Sequence, residues 1–592
     1  MARRSSNETL VRSNQLINRK FTQYLIPTMI TYAAMSLNEF VDSMLVSNLL
    51  SSDAMAIVGL GAPLMLVMAA VYSLLGSGGS TVYAIAVGRR DHDTAGKSLT
   101  ASVALSLITG VLFLVLGLAF SSPLSRLLCH DAELLGEFEQ YMHVLLYSAP
   151  LVIVILTIVS FLPSAGYPGL STAVNVIANV INIVMDYVYI RIVGMGVEGA
   201  AWATLTGYCA AAVVMIIIFL FGHHSMYFSR QIRESFSLNP EIVKLGGPDA
   251  MAQIGLSIQF AACNHMAATT AGTNGVVALS LCLQSSSLMS VFIGAVIGSA
   301  VPIMAVLHGQ RDYSGESGIL RSSMISQFFL SVAGMIVFII FAPQAAALYN
   351  IKQTEQLALA VTAFRIYALM YIPRDAVIVF FRYLKVIGLD RYSTVLSALD
   401  SFAGIVPIAW ILSSIWGAKG LFWAFPVTSF LLLVLMIVCN LRYAKNSDRL
   451  EGVLLIENDE DARPIIDVTI TNDPADISGL SERVQEQCEA NGVSTRDAMR
   501  AALVTEEIAV YVANIKRHST YADVLVRQAD NNIEIDFRSL GEPINPLSDS
   551  DSDITENVTL LRNIASSIET DYLLGMNSTR IIMECTGTME KA

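Results

Sequence analysis

Long apolar segments recur along the first 445 residues of this chain and constrain its fold more than any other feature. A helix that crosses a bilayer needs about 20 mostly apolar residues, and it must satisfy its own backbone hydrogen bonds because lipid supplies no partners. The pattern therefore predicts an all-α polytopic membrane protein with twelve transmembrane helices. The predicted spans lie near residues 21–46, 54–87, 98–120, 141–162, 171–193, 199–221, 247–271, 276–307, 320–341, 358–384, 393–415 and 420–441.

The two groups of six predicted spans are related by an internal repeat. A single offset of 221 residues aligns identical residues at three places: the start of the first span, the loop after the second span and the start of the sixth. Because each group contains an even number of spans, the repeat predicts two parallel six-helix lobes with the same orientation. The aligned pairs are Pro27 with Pro248, Gly88 with Gly309, Arg90 with Arg311, Asp91 with Asp312, Gly199 with Gly420, and Trp202 with Trp423.

Basic residues are concentrated in alternate loops. They follow the second, eighth, tenth and twelfth spans and also lie between the two lobes. The positive-inside rule therefore places those loops and both termini in the cytoplasm, and a bacterial-type plasma (inner) membrane is the predicted location. The basic N-terminus lacks a small-residue cleavage site, so we interpret it as a cytoplasmic flank and not as a signal peptide.

The composition changes at about residue 446, where an acidic sequence replaces the apolar segments. Residues 445–592 hold 28 of the 49 acidic side chains and 13 of the 36 basic ones. Short apolar runs between polar turns predict a small cytosolic α/β domain of the α+β sandwich type, and its acidity argues against a nucleic-acid partner. The seven cysteines lack the paired spacing of a metal site. The predicted divisions are a tail at 1–20, a first lobe at 21–222, a linker at 223–245, a second lobe at 246–445 and the cytosolic domain at 446–592.

The fifth predicted span carries one polar stripe. Asn175, Asn179, Asn182 and Asp186 follow one another at spacings of 4, 3 and 4 residues. On a helix these side chains share a sector of roughly 60°, which must face protein or water. An ionisable residue inside the membrane indicates a functional site, so we predict an ion or substrate pathway here. The alternative is a buried polar seam that joins helices without binding anything.

Several motifs together resemble the multidrug and toxic compound extrusion (MATE) family of antiporters over roughly residues 20–442. They are FVDSMLVSNL followed by AIVGLGAP, then VGRRDHDTAGK, NIVMDYVYI and GVEGAAWAT, with counterparts in the second half. The resemblance implies a monomeric transporter, not an enzyme, that exports amphipathic or cationic small molecules across the lipid bilayer. It also implies coupling to an inward flow of H⁺ or Na⁺, with no cofactor.

The resemblance also implies a cation-coupling site in the first lobe. Its centre would be Asp42 on the first span and Asp186 on the fifth, which together could hold a proton or Na⁺ and are the candidate metal ligands. Paired carboxylates bind a proton more tightly in a pocket of low dielectric constant, and the same oxygens suit sodium, so the coupling ion stays open. The other candidate residues are Asn182 and Thr204, which match the family site, Asn38 and Asn179, which lie beside it in sequence, and Asp375 on the tenth span.

The second lobe departs from the family pattern. Many members carry a glutamate on the seventh span, where this chain offers Asp249 and Gln259. At the offset of 221 residues, Cys263 corresponds to Asp42 and Pro407 corresponds to Asp186. The two lobes are therefore expected to share a fold and to differ in chemistry, with cation coupling in the first lobe.

Residues 446–592 resemble the ATPase fold of histidine kinases and anti-sigma-factor serine kinases. Asn514 corresponds to the magnesium-binding asparagine, Glu507 lies in the region of the catalytic base, and Gly541 lies in the adenine-binding turn LGEPINP. Glu507 precedes Asn514 by 7 residues, whereas the family spacing is 4, and Ser539 replaces the aspartate that contacts adenine. We therefore expect a regulatory domain without kinase activity, with a cytosolic regulatory protein as its candidate partner.

Two other functions are compatible with the sequence. The first is a flippase for lipid-linked precursors, because the wider superfamily includes such proteins. A flippase cavity is expected to carry several basic residues, of which the predicted spans hold few. The second is a membrane receptor that signals through its cytosolic domain.

Overall fold

The computed structural model describes residues 12–50, 52–129, 134–221, 226–348, 354–458, 464–471, 473–514, 521–529, 532–543 and 561–585. The chain divides into two compact units. The membrane unit comprises Gln23–Asp312 and Ile319–Leu441, and the second unit comprises Met1–Thr22, Tyr313–Gly318 and Arg442–Ala592. The second unit thus combines the predicted N-terminal tail and the predicted cytosolic domain.

The first half of the chain forms eight helices. Asp91 begins one of them, α4, by accepting a hydrogen bond from the backbone N–H of Thr94, which satisfies a free donor of the first turn. The helices are α1 (Gln15–Leu49), α2 (Ser52–Tyr72), α3 (Gly78–Gly88), α4 (His92–Ala119), α5 (Ser121–Leu128), α6 (Leu135–Ser164), α7 (Pro168–Asp186) and α8 (Val197–Phe221).

The second half of the membrane region repeats this arrangement. Its longest helix, α10, leaves the helical conformation at Gly272 (φ 58°, ψ −144°) and therefore contains two of the predicted spans. The helices are α9 (Ile232–Ser235), α10 (Asn239–Gly309), α11 (Tyr313–Leu348), α12 (Thr354–Ala368), α13 (Tyr371–Val386), α14 (Asp390–Ala398), α15 (Ile405–Trp416) and α16 (Ala418–Lys445).

The predicted all-α polytopic membrane fold is confirmed. Within the described residues, nine helices are long and apolar enough to cross a membrane, and the bent pair α12 and α13 makes a tenth. The first predicted span corresponds to α1, which is 35 residues long but less apolar than those nine. Each of the twelve predicted spans corresponds to a helix, a part of one or a bent series.

Three membrane helices contain a π-helical segment. These segments are Ser73–Ser77 between α2 and α3, Tyr187–Val193 after α7, and Leu399–Ala403 between α14 and α15. A π-helical turn inserts an extra residue into the helix and occurs often at functional sites. Each segment contains or directly follows a polar side chain that is buried, as for Asp186 and Asp400, or half-buried, as for Ser77.

The two lobes approach closely where α3 packs against the end of α10. A Cβ atom on Gly88 would lie 2.1 Å from the carbonyl oxygen of Val306 and 3.0 Å from the Cα atom of Gly309. A Cβ atom on Gly309 would meet the carbonyl oxygen of Ile85 in the same way, at 2.2 Å. Gly88 and Gly309 are equivalent in the repeat, so this is a symmetric contact that requires glycine on both sides.

The C-terminal region contains an α/β domain, as predicted. A five-stranded antiparallel sheet has the order β3-β4-β5-β7-β6, and α17 and α18 pack on one face of it around a core that includes Val468, Leu480, Ile508 and Ile535. The elements are β1 (Leu450–Glu451), β2 (Ile456–Glu457), β3 (Pro464–Thr471), α17 (Pro474–Ala490), α18 (Thr495–Asn514), β4 (Tyr521–Ala529), β5 (Asn532–Leu540), β6 (Ser567–Leu573) and β7 (Met576–Glu584). Strands β1, β2 and β6 had not been predicted.

The start of the chain contacts this sheet. The guanidinium group of Arg12 pairs with Asp467 of β3 at 3.1 Å and with Asp523 of β4 at 3.6 Å. The backbone N–H of Ser13 donates a hydrogen bond to the hydroxyl of Thr469 at 3.0 Å. Arg12 and Asp523 are buried, so the residues that precede α1 form part of the second unit.

Candidate functional site

The polar stripe of the fifth span faces the interior of the protein. Asn182 is buried and Asp186 is fully buried, whereas Val180 and Val184 on the other face of α7 are about half exposed. The amide of Asn175 donates a hydrogen bond to the carbonyl of Ser171 at 2.9 Å, within its own helix. The periodicity of the sequence thus identified the face of α7 that is turned away from lipid.

Asp42 of α1 lies beside Asp186, close enough for the two carboxyl groups to interact directly. Neither oxygen of Asp186 accepts a hydrogen bond from an amide, hydroxyl or ammonium group in the described part of the chain. A buried carboxylate without donors is costly in a medium of low dielectric constant, so this pair favours a bound proton or cation. The two principal residues of the predicted coupling site are therefore close together.

The other predicted residues of the first lobe line up along the same helices. The amide of Asn182 donates to the hydroxyl of Thr204 on α8 at 3.4 Å, and that hydroxyl donates to the carbonyl of Ala200 at 3.1 Å. Among the described residues, the side-chain oxygen of Asn38 and the side-chain nitrogen of Asn179 are buried without a hydrogen-bond partner. Unsatisfied buried polar atoms of this kind are rare in folded proteins and often mark a site that binds water or an ion.

Tyr141 of α6 belongs to the same region and had not been predicted. Its phenol is buried and interacts electrostatically with both Asp42 and Asp186. A hydroxyl group near two carboxylates can donate a hydrogen bond to either of them. Tyr141 lies near the start of α6, and no distinctive motif surrounds it. Nothing in the sequence alone therefore connected it to the acidic pair.

Asp375 lies in a separate polar cluster of the second lobe. Its carboxylate accepts hydrogen bonds from the amide of Gln327 at 2.9 Å and from the hydroxyl of Ser331 at 2.5 Å, both on α11. These partners satisfy Asp375 within the second lobe, in contrast to the donor-free Asp186.

A small cavity lies nearby in the second lobe. Arg374 of α13 and Asp400 form an ion pair across it, with 3.4 Å between Nε and Oδ1. The π-helical segment Leu399–Ala403 carries Asp400. The remaining lining residues are Gln259, Met370, Ile405, Phe425, Thr428 and Ser429.

Asp249, which the sequence suggested as a poor substitute for a family glutamate, belongs to a third buried cluster. The ammonium group of Lys385 on α13 lies 2.8 Å from Asp249 and 2.6 Å from the hydroxyl of Ser77. Arg382 also pairs with Asp249, and the hydroxyl of Ser77 donates to the same carboxylate. Because Ser77 belongs to the first lobe, this cluster links the two lobes.

Comparisons with known proteins address the membrane unit. Residues 27–188 match the family model MatE. The chain is 22% identical to "Probable multidrug resistance protein YoeA" of Bacillus subtilis over 427 residues, which cover 69% of this chain and 90% of the relative. It is also 22% identical to "Multidrug export protein MepA" of Staphylococcus haemolyticus, over 67% of this chain and 88% of the relative.

Solved structures agree with these relatives. The outward-facing conformation of a multidrug resistance MATE family transporter of the MOP superfamily matches with a TM-score of 0.67 and 23% identity, over 71% of this chain and 94% of that one. A MATE in the bent conformation matches with a TM-score of 0.66, over 73% and 98%. The membrane part of this chain therefore has the fold of the MATE transporters.

The comparisons apply to the lobes, and the resemblance of residues 446–592 to an ATPase stays a prediction. Gly541 follows β5 with a φ of 145°, a conformation that favours glycine. Glu507 is partly buried on α18, where burial and then the adjacent Glu506 raise its pKa. Asn514 ends α18, but its side chain lies outside the described residues.

Proposed function

We propose that this MATE-family chain is a secondary antiporter that exports amphipathic, cationic small molecules in exchange for an inward flow of H⁺ or Na⁺. The observation that carries the proposal is the fully buried Asp186, whose oxygens lack donors in the described residues and lie beside the carboxyl group of Asp42. The names of the relatives YoeA and MepA, which both refer to multidrug resistance or export, support the same function.

The chemistry of the acidic pair supports coupling. Two neighbouring carboxylates cannot both remain ionised in a buried site without a compensating positive charge. A proton or a sodium ion supplies that charge, and its release removes it. A site that is stable with a cation and costly without one can link the conformation of the lobes to an ion gradient. H⁺ and Na⁺ would bind the same oxygens, so we propose that the Asp42 and Asp186 pair is the site for either ion. We also propose that the chain lies in a bacterial-type plasma (inner) membrane.

The basic residues of the second lobe do not favour a lipid-linked precursor as the substrate. A flippase for a polyanionic headgroup needs cationic side chains that are free to bind phosphate. Lys385 and Arg382 both pair with Asp249, and Arg374 pairs with Asp400. Each of these three cationic side chains on α13 therefore already has a carboxylate partner, and Arg382 and Lys385 share Asp249.

Everted membrane vesicles that contain the full-length chain test the proposal. A fluorescent cationic dye should accumulate in the vesicles when an outward-directed ΔpH or ΔNa⁺ is imposed, and collapse of the gradient should release it. Dye movement that ignores both gradients would refute the antiporter. A response to a labelled lipid-linked precursor instead of the dye would favour the flippase, and a dye-dependent change in the cytosolic domain without transport would favour a receptor.

We further infer that residues 446–592 regulate transport and do not power it. The membrane unit already contains a candidate coupling site, and the chain lacks a GxxxxGK motif that would bind ATP phosphates. The strongly acidic domain offers a surface for a basic cytosolic regulatory protein or for the basic loops of the transporter.

A further inference from the structure

The polar cavity of the second lobe is related by the repeat to the coupling site of the first. At the offset of 221 residues, Gln259 corresponds to Asn38 and Asp400 corresponds to Asn179. Both Gln259 and Asp400 line the cavity. The two lobes therefore place polar side chains at equivalent positions on equivalent helices, although the second lobe has Pro407 in the place of Asp186.

The lining of this cavity contains buried polar atoms with unused hydrogen-bonding capacity. In the described residues, the side-chain oxygen of Gln259 and the hydroxyl of Thr428 are buried and lack a hydrogen-bond partner. Asp400 is also buried, and its carboxylate forms an ion pair with the guanidinium group of Arg374, with 3.4 Å between Nε and Oδ1. The group of ligating oxygens is thus similar in kind to that of the first lobe, namely carboxylate, amide and hydroxyl.

The difference between the lobes lies in the source of positive charge. For Asp42 and Asp186, the described residues provide no ion pair, and the oxygens of Asp186 lack donors. For Asp400, the side chain of Arg374 provides a permanent cation, because an arginine does not lose its proton under physiological conditions. The carboxylate of the second lobe is therefore compensated without an ion from solution.

We propose that Arg374 is a tethered cation that occupies, in the second lobe, the place of the mobile cation in the first. The second-lobe cavity is then a monovalent-cation site that the chain itself fills, and one lobe alone exchanges an ion with the solvent in each cycle. Removal of the guanidinium group should expose Asp400, Gln259 and Thr428 as a site for Na⁺ or H⁺. This inference rests on the proposed cation coupling in the first lobe.

The test measures cation binding separately from transport. Full-length protein is purified with Asp186→Asn, which disables the first-lobe site, and its melting temperature is recorded against Na⁺ concentration at alkaline pH and against pH without Na⁺. Asp186→Asn alone should show no Na⁺-dependent shift, and its pH profile, to which other groups such as Asp536 contribute, is the baseline. Asp186→Asn with Arg374→Ala should gain a Na⁺-dependent shift, or a shift with pH beyond that baseline, because a ligand that binds the folded state stabilises it. Arg374→Gln replaces Arg374→Ala if the alanine variant does not fold.

Two controls separate the tethered charge from a general effect of mutation. Arg374→Lys retains a positive charge and should show no shift in the Asp186→Asn background. Arg365→Ala removes another arginine of the same bent span, whose Nε donates to the carbonyl of Ile339 at 3.1 Å, and it should also show none. A shift with Arg374→Lys or with Arg365→Ala would overturn the proposal.

Transport provides an independent measure. In proteoliposomes with an intact first lobe, the Hill coefficient for the coupling cation should rise from about 1 to about 2 in the Arg374→Ala variant, because the coefficient is limited by the number of sites. A coefficient that stays at the parental value, together with no thermal shift in the double variant, would refute the tethered cation. If the parental protein itself shows no cation response that depends on Asp186, the proposed antiport fails first.

Discussion

At the scale of single residues, the two lobes stabilise their buried aspartate carboxylates in different ways. Asp186 is buried without donors in the described residues, Asp375 is satisfied by Gln327 and Ser331, and Asp400 is compensated by Arg374. A buried carboxylate of the first kind is the one whose energy depends most on a proton or ion from outside. The three aspartates should therefore differ sharply in their effect on coupling.

Replacement of Asp186 by asparagine should abolish coupled export, and Asp42→Asn should do the same. The change removes one ionisable oxygen with little change in shape, and loss of gradient-driven dye export by about tenfold or more is expected, equivalent to about 1.4 kcal/mol of coupling free energy or more. Vesicle transport assays measure it, with membrane insertion checked by immunoblotting. Asp93→Asn is a suitable control, since Asp93 is an exposed residue that pairs with Lys97. Full transport by Asp186→Asn would contradict the proposed coupling site.

Asp375→Asn should reduce export less than Asp186→Asn does. Gln327 and Ser331 already stabilise the Asp375 carboxylate, so a neutral amide at this position loses hydrogen bonds without losing the centre of the coupling site. Parallel dose–response curves for the coupling ion compare the variants. An equal or larger loss with Asp375→Asn would place coupling in the second lobe.

In the C-terminal α/β domain, Asp536 makes the domain sensitive to acid. Burial alone would raise the pKa of Asp536, but Arg580 and then Arg527 outweigh it and lower that pKa below the usual value. A carboxyl group with a lowered pKa stabilises the folded state above the unfolded pKa of about 3.9, and this stability is lost as the pH falls toward the folded pKa.

Asp536→Asn should destabilise the domain at neutral pH by about 3–5 kcal/mol, because it removes the carboxylate that pairs with the buried Arg527 and the partly buried Arg580. It should also remove the acid sensitivity contributed by this group. Hydrogen exchange of the β4, β5 and β7 amides in the full-length chain, followed by mass spectrometry, measures both effects. Unchanged protection at neutral pH would refute the role of this ion pair.

At the scale of helices, the contact between α3 and α10 depends on two glycines that leave no space for a side chain. The atoms next to Gly88 belong to the backbone of α10, so a larger residue cannot be accommodated by a rotamer change. The Asp249, Lys385 and Ser77 cluster adds a polar link between the same lobes. Close backbone packing and a buried ion pair therefore both hold the two lobes together on this face of their interface.

Gly88→Val should separate the lobes at this contact and shift the protein away from the conformation in which α3 packs against the end of α10. We expect gradient-driven export to fall by about tenfold or more while the protein still inserts, since about 1.4 kcal/mol suffices for a tenfold shift between two states. Distances between spin labels on α3 and on the end of α10 would report the separation. Gly59→Val is the matched control, because a Cβ atom on Gly59 would meet nothing within 4 Å. An unchanged distance distribution for Gly88→Val would contradict this explanation.

The sequence was most informative about features that repeat along single helices. Apolar length identified the spans, and the spacing of Asn182 and Asp186 identified a buried face, because both depend on local helical geometry alone. The ion pair between Arg374 and Asp400 joins two different spans, so no local sequence pattern could predict it. Strand β6, SIETDYL, was missed because its sequence is mostly polar, and its partner β7 forms the environment that makes it a strand.

At the scale of the whole molecule, the chain combines a membrane unit that has the fold of MATE transporters with a C-terminal α/β domain that is not needed to explain the proposed ion coupling. A stop codon after Lys445 should therefore leave gradient-driven export in place, with an apparent substrate affinity changed by about fivefold or more if the domain is a regulator. Transport by correctly inserted truncated protein measures it. Complete loss of export would refute a purely regulatory role, and micromolar ATP binding by the full-length chain in calorimetry would make the domain a nucleotide sensor.

The uninterrupted length of α1 has a mechanical consequence. Helix α1 runs without a loop from Gln15 to Leu49, and Pro27, which lacks an N–H donor, is the point at which this rod bends most easily. Asp42 lies about 23 Å beyond Pro27 along the axis, at about 1.5 Å per residue. A continuous rod transmits a rotation along its length, so the flexural stiffness at Pro27 sets how much of a movement in the preceding turns reaches Asp42.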